Sequence, residues 1–354
     1  MNDITQMLMQ STTKILKDVC TKELVNESEQ GIWAAKLWCT LADSGMITVG
    51  VPEELGGNGC SYLDAFSILR LAGKYSAPVP LAETFLGNWL LADLGEQVFD
   101  EPITVAYPGS ENGVYLQKQE DGWVISGKAN FVPWARFAKR MIMLGRTDSE
   151  DVLVLISPEQ GRIEHGKNLA GEARDNVIFE DRLVKECRVI PVDAKTVVNK
   201  LLYSGAVARI VMMAGALERL LELCATYVTE RTQFGKPLHR FQAVQHQLAL
   251  LAGESAAAST AADYAVQAFQ NGFLSQEIAM SKIKINEAVG AASPMAHQIH
   301  GAIGFTYEHT LHQTTRRLWS WRDEFGTETE WSEKLAEEYM ENGRDGLWPF
   351  LTRS

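Results

Sequence analysis

Eight short segments between residues 101 and 194 constrain the fold of this chain more than any other feature of its sequence. Each segment alternates apolar with polar residues or is apolar throughout, and Gly, Pro, Asp or Asn residues separate neighbouring segments. Such spacing is typical of an antiparallel sheet that folds as a small barrel or sandwich. Asp121-Gly122 is a strong hairpin signal between two of the segments. The sequence therefore predicts a β domain in the middle of the chain.

The residues on both sides of this β domain have the periodicity of amphipathic helices. The long C-terminal segments also carry small residues where neighbouring helices would touch, as in a helical bundle. We therefore predict an α+β fold that is mostly α. Its parts are an N-terminal α-helical domain (1–100), a central antiparallel β-barrel or sandwich (101–194) and a C-terminal four-helix bundle (195–354).

The composition excludes several functional classes. A formal net charge of −12 argues against a nucleic-acid partner, because binding to a polyanion requires clustered Lys and Arg. The five cysteines have no Cys-x-x-Cys spacing, so neither a zinc site nor a disulfide framework is expected. The chain also lacks the pattern of a secretion signal and a run of about 18 apolar residues. We expect a cytoplasmic protein that has no membrane span.

Two C-terminal stretches carry the candidate functional residues. In the first, Gln298 lies at the end of an apolar helix and is followed by Gly301 and Gly304, which could let backbone amides approach a planar or anionic ligand. Taken alone, these glycines are explained more simply by a helix C-cap followed by another helix. In the second stretch, Arg231, Gln233 and Phe234 precede a helix break that begins at Gly235.

Together, Arg-x-Gln-Phe-Gly and Gln-x-x-Gly-x-x-Gly-Phe resemble the two C-terminal signatures of the acyl-CoA dehydrogenase family, including their separation. The resemblance implies that Arg231 and Gln233 hold the pyrophosphate of FAD and that Phe234 packs near it. It also implies that Gln298 and Gly301 receive the adenine side of an FAD that belongs to a neighbouring subunit. A planar guanidinium is a suitable donor to a delocalised pyrophosphate, which fits this assignment of Arg231.

The resemblance also locates the catalytic base of the family, a Glu that takes the α proton of the acyl thioester. Counting from the motifs places the two known base positions on Phe325 and Gly205, neither of which can accept a proton. The neighbouring carboxylates Glu324 and Asp323, and also Glu328, are weak candidates for a displaced base. They are explained more simply as surface charges beside a helix cap.

The segments that would contact the flavin ring depart from the family pattern as well. The family loop Thr-Glu-Pro-x-x-Gly-Ser corresponds to residues 106–110, and the family strand Trp-Ile-Thr corresponds to Phe131-Val132-Pro133-Trp134. Polar groups that would bond to the flavin ring are missing or replaced in both segments. The chain therefore keeps the adenine and pyrophosphate half of an FAD site and lacks much of the ring half.

The resemblance implies an acyl-CoA dehydrogenase that acts on an acyl-CoA substrate and passes electrons to electron-transfer flavoprotein. We expect the chain to be the FAD-cradle subunit of a heteromer whose homologous partner supplies the catalytic Glu, as in bacterial steroid side-chain breakdown. Two alternatives stay open. One is an active homo-oligomer that uses Glu324 or Asp323 as base, and the other is a non-enzymatic assembly subunit.

Overall fold

A computed structural model describes residues 3–107, 113–342 and 348 of the chain. By compactness the chain divides into two units, Met1–Gly205 and Ala206–Ser354. The first unit contains N-terminal helices followed by a sheet, and the second contains helices and one small hairpin. A helical N-terminal part, a central sheet and a helical C-terminal part confirm the predicted mostly α fold class.

The N-terminal helices are set by local capping and by burial. A capping box starts the helix Tyr62–Lys74, because the Ser61 hydroxyl accepts the Asp64 amide while the Asp64 carboxylate accepts the Ser61 amide at 2.9 Å. The fifth helix is buried along almost its whole length and forms the core of this region. The helices are α1 (Asp3–Val19), α2 (Lys22–Glu29), α3 (Ala35–Asp43), α4 (Tyr62–Lys74) and α5 (Leu81–Asp93).

All eight segments that the sequence predicts as strands are strands in one sheet. They are β1 (Ile103–Ala106), β2 (Gly113–Gln119), β3 (Gly122–Pro133), β4 (Arg140–Arg146), β5 (Asp151–Ile156), β6 (Arg162–Glu164), β7 (Arg174–Val184) and β8 (Cys187–Pro191). The order is β6-β7-β3-β2-β4-β5-β8, and β1 pairs with β4.

The expectation of a purely antiparallel sheet is wrong at one strand. The pairs β1–β4 and β2–β4 are parallel, whereas the other strand pairs are antiparallel. After β3 the chain crosses over before β4 begins, so β4 runs in the direction of β1 and β2. Hydrophobic periodicity does not encode strand direction, which is why the pattern alone missed this crossover.

A fully buried carboxylate, Asp175 on β7, joins the sheet to its connecting loops. It accepts the backbone amides of Arg136 at 2.9 Å and Gly166 at 3.1 Å, and it also accepts Nε of Arg136 at 3.0 Å. The Arg136 side chain is 17% exposed and donates from Nη2 to the Gly166 carbonyl at 2.6 Å. Both carboxylate oxygens of Asp175 therefore accept hydrogen bonds, as a buried carboxylate requires.

The second unit contains most of α6 (Ala194–Glu230) and the helices that follow it. These are α7 (Gln242–Gln270), α8 (Ser275–His300), α9 (Leu311–Asp323) and α10 (Glu328–Asn342). A two-stranded hairpin, β9 (Thr232–Gln233) with β10 (Lys236–Pro237), lies between α6 and α7. The central helix is α8, which packs against α7, α9 and α10.

By length and composition α6 is apolar enough to cross a membrane. However, 83% of its most apolar window is buried inside the protein, which is also usual for a core helix of a folded domain.

We predict that Asp175→Asn lowers the free energy of unfolding by about 3 kcal/mol, because it leaves the largely buried Arg136 without its partner charge. Urea unfolding followed by circular dichroism measures the change. The matched control is Asp121→Asn, whose carboxylate is 74% exposed in a pair with Lys185 and should matter by less than about 0.5 kcal/mol. Equal losses in the two variants would contradict the role assigned to Asp175.

Candidate functional site

The segment that carries Arg231, Gln233 and Phe234 is a tight hairpin and not only a helix break. The β9 and β10 strands pair Gln233 with Lys236, so Phe234 and Gly235 form a two-residue loop. Both loop residues have positive φ, 52° for Phe234 and 79° for Gly235, as in a type I′ turn. Positive φ is uncommon for a bulky residue, and the Phe234 side chain is 92% exposed. The hairpin therefore presents an aromatic ring to solvent at a cost in backbone strain.

The guanidinium of Arg231 is exposed at the end of α6 and is available to a ligand. The Arg231 amide donates to the Tyr227 carbonyl at 2.9 Å, and its carbonyl accepts the Leu238 amide at 2.9 Å. The backbone of Arg231 is therefore fixed. Its side chain makes no ion pair or hydrogen bond within the part of the chain that the structure describes. Gln233 is also exposed, on the adjacent strand.

The two motif glycines at the end of α8 have different roles. Gly301 is the C-cap, with φ 64° and ψ −147°, a conformation that is essentially restricted to glycine. No atom lies within 4 Å of a Cβ added there, so its surface is open. A Cβ on Gly304 would meet Leu311 Cδ2 at 2.8 Å, so this glycine serves helix packing. The predicted C-cap is present, and the backbone beside exposed Gln298 is also open to a ligand.

An aromatic stack brings the two motif segments together. The ring of Tyr227, one turn before Arg231, stacks on the ring of His300 at 4.5 Å between centroids. His309 contacts both rings, at 4.6 Å from His300 and 6.2 Å from Tyr227. Because His300 directly precedes Gly301, the stack fixes the hairpin end of α6 relative to the C-cap of α8.

Burial favours the neutral form of the stacked His300. Nδ1 of His300 donates to the Ala296 carbonyl at 2.8 Å, and burial lowers the pKa of the imidazole. Burial also raises the pKa of the neighbouring Cys224 thiol to about 12, so this cysteine is not an activated nucleophile. The contacts of the stack serve to pack and orient the two helix ends.

The turn after α9 carries the position at which the sequence count places the family base. Phe325 occupies it with φ 56°, and its ring lies 5.7 Å from Cζ of Arg209. Arg209 is four residues after Gly205 on α6 and therefore on the same helix face as the second counted base position. Phe325 therefore adjoins a buried guanidinium, which is 2% exposed.

The carboxylates near Phe325 differ in their surroundings. Glu324 accepts Nε of Arg209 at 2.6 Å and keeps 21% of its side chain exposed. Glu328 accepts Nε of Arg322 at 3.2 Å and Nδ2 of Asn286 at 3.3 Å, and these bonds lower its pKa. Asp323 is exposed at the end of α9. Glu324 and Glu328 therefore form structural ion pairs with arginines. Neither ion pair was evident from the sequence.

A buried lysine completes this polar cluster. Lys282 is fully buried on α8, and its Nζ donates to the Arg322 carbonyl at 2.8 Å and to Oδ1 of Asn286 at 3.0 Å. Asn286 donates to the same carbonyl at 3.1 Å. Burial lowers the pKa of Lys282 to about 7, although nearby Glu324 opposes the shift. The Arg322 carbonyl near the end of α9 is thereby tied to α8.

The first unit contains the segments that the resemblance assigns to the flavin ring. Phe131 lies at a bulge of β3 with φ 55°, and its side chain is 72% exposed. Pro133 stands where the family motif has Thr, and its carbonyl accepts the Thr104 hydroxyl. The other segment that the resemblance assigns to the flavin ring is the loop 106–110. Residues 108–110 of this loop lie outside the described residues.

Sequence reasoning missed Arg209, Lys282 and the stack around His300. Arg209 could have been found from its spacing, because it lies four residues after Gly205. This spacing places a cation on the face of α6 that was expected to carry a base. Lys282 gave no comparable signal, because a single lysine in an amphipathic helix ordinarily lies on the exposed face. No group of three or more His, Cys, Asp or Glu side chains in the described ranges could hold a metal ion.

Comparison with known sequences identifies two matching family profiles. The profile described as Acyl-CoA dehydrogenase, N-terminal domain, matches residues 2–99, and the corresponding C-terminal domain profile matches residues 195–329. Among curated relatives, acyl-CoA dehydrogenase IpdE2 of Mycolicibacterium smegmatis is 26% identical over 88% of this chain and 91% of its own length.

Solved structures with the same fold include two that carry paired subunit names. The Tcur3481-Tcur3483 steroid ACAD variant has a TM-score of 0.84 at 24% identity, covering 96% of this chain and 98% of that one. The ChsE4-ChsE5 complex of Mycobacterium tuberculosis has a TM-score of 0.83 at 22% identity, with 96% and 97% coverage. PigA, solved with FAD and proline, has a TM-score of 0.82 at 19% identity, covering 96% and 98%.

We predict that Lys282→Met flattens the pH dependence of stability. The lysine of the unfolded chain keeps its proton up to its ordinary pKa of 10.5, whereas the folded chain releases it near 7. Between these values the unfolded state binds more protons, so the free energy of unfolding rises with pH in the wild type. Below about pH 7 the buried ammonium costs its full desolvation, and this cost disappears in the variant.

Urea midpoints measured from about pH 6 to about pH 9 for both proteins check this prediction. Lys284→Met is the control, because that side chain is 43% exposed and pairs with Glu254 on the bundle surface. A Lys282→Met protein whose midpoint follows pH as steeply as the wild type would show that the buried amine does not titrate in this range.

Proposed function

Because this chain belongs to the acyl-CoA dehydrogenase family, we propose that it acts as the FAD-cradle subunit of a heteromer. The family reaction is the dehydrogenation of an acyl-CoA thioester. In the proposed complex this chain contributes Arg231, Gln233, Phe234, Gln298 and Gly301 to the pyrophosphate and adenine side of FAD. A homologous partner subunit contributes the flavin-ring contacts and the catalytic Glu.

The observation that carries the proposal is the convergence of both cradle motifs through the stack of Tyr227 on His300. The donor set fits the phosphate side of FAD, because Arg231 offers an exposed guanidinium on a fixed backbone. The open surface at Gly301 lets backbone groups approach a planar ring without a side chain in the way. When bound, FAD supplies hydride acceptance, and these residues only hold and orient it.

The residues around Phe325 support the assignment of catalysis to the partner. Removing the α proton requires a carboxylate within hydrogen-bond distance of the acyl α carbon. Phe325 and Gly205 offer none, and Glu324 is engaged with Arg209 at 2.6 Å. A carboxylate in an ion pair of this kind is a weaker base than a free one.

The ring side fits FAD less well than the cradle side. Where the family motif has a Thr, Pro133 has neither a hydroxyl nor a backbone N–H, so it cannot donate to a flavin ring. This mismatch supports a division in which the ring pocket of the working site belongs to the other subunit.

The relatives support both the assembly and the class of substrate. ChsE4-ChsE5 is a complex of two named chains, and the Tcur3481-Tcur3483 protein is named as a steroid acyl-CoA dehydrogenase. By the same analogy, the substrate is an acyl-CoA thioester from steroid or fatty-acid breakdown, and the electron acceptor is electron-transfer flavoprotein. The setting we propose for this reaction is the cytoplasm.

Two alternative functions are separated from this proposal by purifying the chain alone and with its partner. An active homo-oligomer that uses Asp323 or Glu324 would be yellow and would oxidise acyl-CoA unaided. A non-enzymatic assembly subunit would leave every complex colourless. The proposal requires flavin in the complex and no turnover by this chain alone.

Replacing Arg231 tests the cradle directly. Arg231→Ala removes a charge-assisted contact worth about 1.5 to 3 kcal/mol, so FAD affinity of the co-expressed complex should fall roughly ten- to hundredfold. Flavin absorbance per complex measures the loss, starting from about one FAD for each pair of unlike chains. Arg240→Ala removes a nearby exposed arginine outside the motif and should leave the flavin content unchanged. Full flavin in the Arg231→Ala complex would refute the proposed cradle.

Restoring a carboxylate at the counted base position tests the division of labour. We expect Phe325→Glu neither to create activity in this chain alone nor to abolish activity of the complex. The new carboxylate would lie near Arg209, because Cζ of Arg209 lies 5.7 Å from the Phe325 ring. The chain would still lack donors to the flavin ring, since Pro133 stands where the family motif has Thr. Steady-state oxidation of an acyl-CoA is the measurement, and unaided turnover by the variant would contradict the proposal.

A further inference from the structure

Two buried histidines, His297 (6% exposed) and His300 (4% exposed), lie three residues apart in the last turns of α8. The segment Gly301–Phe305 folds back against both of them. The Phe305 ring stacks on the His297 ring at 4.1 Å between centroids. A Cβ on Gly304 would lie 3.1 Å from Cβ of His300 and 3.3 Å from Nδ1 of His297. A change in the charge of these imidazoles therefore acts directly on this segment.

The hydrogen bonds of His297 leave one ring nitrogen as a bare acceptor. Nε2 lies 2.9 Å from the Thr315 hydroxyl of α9, and this hydroxyl donates its own hydrogen to the Leu311 carbonyl at 3.3 Å. Because a hydroxyl has one hydrogen, it accepts from His297, and this assigns the proton of the neutral ring to Nε2. Nδ1 is buried, and no hydrogen-bond partner for it lies among the described residues. A proton added at Nδ1 would be a buried N–H without an acceptor.

His300 has the same arrangement with its two nitrogens exchanged. Its Nδ1 lies 2.8 Å from the Ala296 carbonyl, which can only accept, so Nδ1 carries the proton of the neutral ring. Nε2 is buried and has no hydrogen-bond partner within the part of the chain that the structure describes. Both histidines can therefore gain a second proton only at a buried position that lacks an acceptor, which carries the full cost of desolvation.

The titratable groups that adjoin the two imidazoles supply no counter-charge. These groups are Tyr227 and Cys224 of α6, His309 of the segment before α9, and His312 of α9. Burial raises the pKa of the Cys224 thiol to about 12, so it stays uncharged. Glu308 is exposed, and Arg316 and Arg317 of α9 donate to carbonyl groups of their own helix at 3.3 and 3.0 Å.

The two histidines also oppose protonation of each other. Burial lowers the pKa of His297, and the neighbouring His300 and His312 lower it further. Burial lowers the pKa of His300 as well, despite the bond to the Ala296 carbonyl. In the closed segment both rings therefore resist a proton that each would accept readily in water.

We propose that His297 and His300 form a proton-sensitive latch, which holds the segment Gly301–Phe305 closed at neutral pH and releases it in mild acid. Opening exposes the imidazoles to water, where each titrates with its ordinary pKa of 6.5. Below this pH the open form binds more protons than the closed form, so the closed form loses stability as the pH falls. The proposal rests on the proposed function in one respect, because Gly301 belongs to the proposed FAD cradle and its release would loosen the hold on FAD.

Hydrogen exchange of the full chain without flavin tests the latch. Mass spectrometry of peptides that cover residues 301–313 compares exchange at about pH 7.5 and about pH 5.5, after correction for the intrinsic effect of pH on exchange. With a pKa of 6.5 in the open form, the opening equilibrium should rise up to about tenfold for each histidine between these pH values. An unchanged opening equilibrium in the wild type would overturn the proposal.

A double variant, His297→Phe with His300→Phe, separates the latch from other acid effects. It keeps an aromatic ring at both positions and cannot take up a proton, so the acid-induced rise in exchange should disappear. Lys282 is present in both proteins and cancels from the comparison. His246→Phe is the matched control, because His246 is exposed on α7, and it should respond to acid as the wild type does. A rise in the double variant equal to that in the wild type would contradict the latch.

The single variants keep the test decisive if the double variant fails to fold. His297→Phe and His300→Phe should each retain one titrating ring and show a rise smaller than the wild type, whereas an undiminished rise in both would contradict the proposal. In the co-expressed complex, flavin fluorescence should show faster release of FAD at about pH 5.5 from wild type than from the double variant. Equal release would overturn the link to the cradle. The exchange result uses no flavin and is therefore independent of the Arg231→Ala result.

Discussion

The ring contact between Tyr227 and His300 is the interaction on which the candidate site depends. It joins the last turns of α6 to the last residue of α8, two helix ends whose neighbouring motif residues are otherwise exposed to solvent. An offset stack of this kind adds about 0.5 to 1.5 kcal/mol beyond the area it buries. Burial lowers the pKa of His300, which favours the neutral imidazole in this stack.

The second unit combines two regions with opposite physical character. Near Phe325, buried Arg209 pairs with Glu324, and buried Lys282 donates to the Arg322 carbonyl, so both cations depend on their partners and the geometry resists change. Around Arg231 and Gly301, polar groups and backbone face solvent, so the same region can exchange water for a ligand at little structural cost. The chain is therefore rigid around Phe325, which we propose as the lost base position, and open around the proposed FAD cradle.

The sequence predicted the elements better than it predicted their connections. Every alternating segment became a strand, and the expected hairpin is present, with Glu120-Asp121 as its loop and Gly122 as the first residue of β3. The parallel pairing of β4 was missed because strand direction depends on the path of the chain and not on residue pattern. The same limit applies to the site: Arg231 and Gly301 were found through motifs, whereas the Arg209 pair with Glu324 joins residues far apart in sequence and gives no local signal. The assignment of these residues to FAD stays a prediction.

The hairpin at Phe234 and Gly235 has a consequence for assembly. Its turn is closed within a few residues, by the β9–β10 pairing and by the bond from the Leu238 amide to the Arg231 carbonyl. The conformational entropy of this segment is therefore lost when the subunit folds and not when subunits meet. A surface that is ordered before two molecules meet also needs no loop rearrangement after their first contact. The exposed aromatic tip is therefore formed by a few consecutive residues before any ligand or second chain is bound.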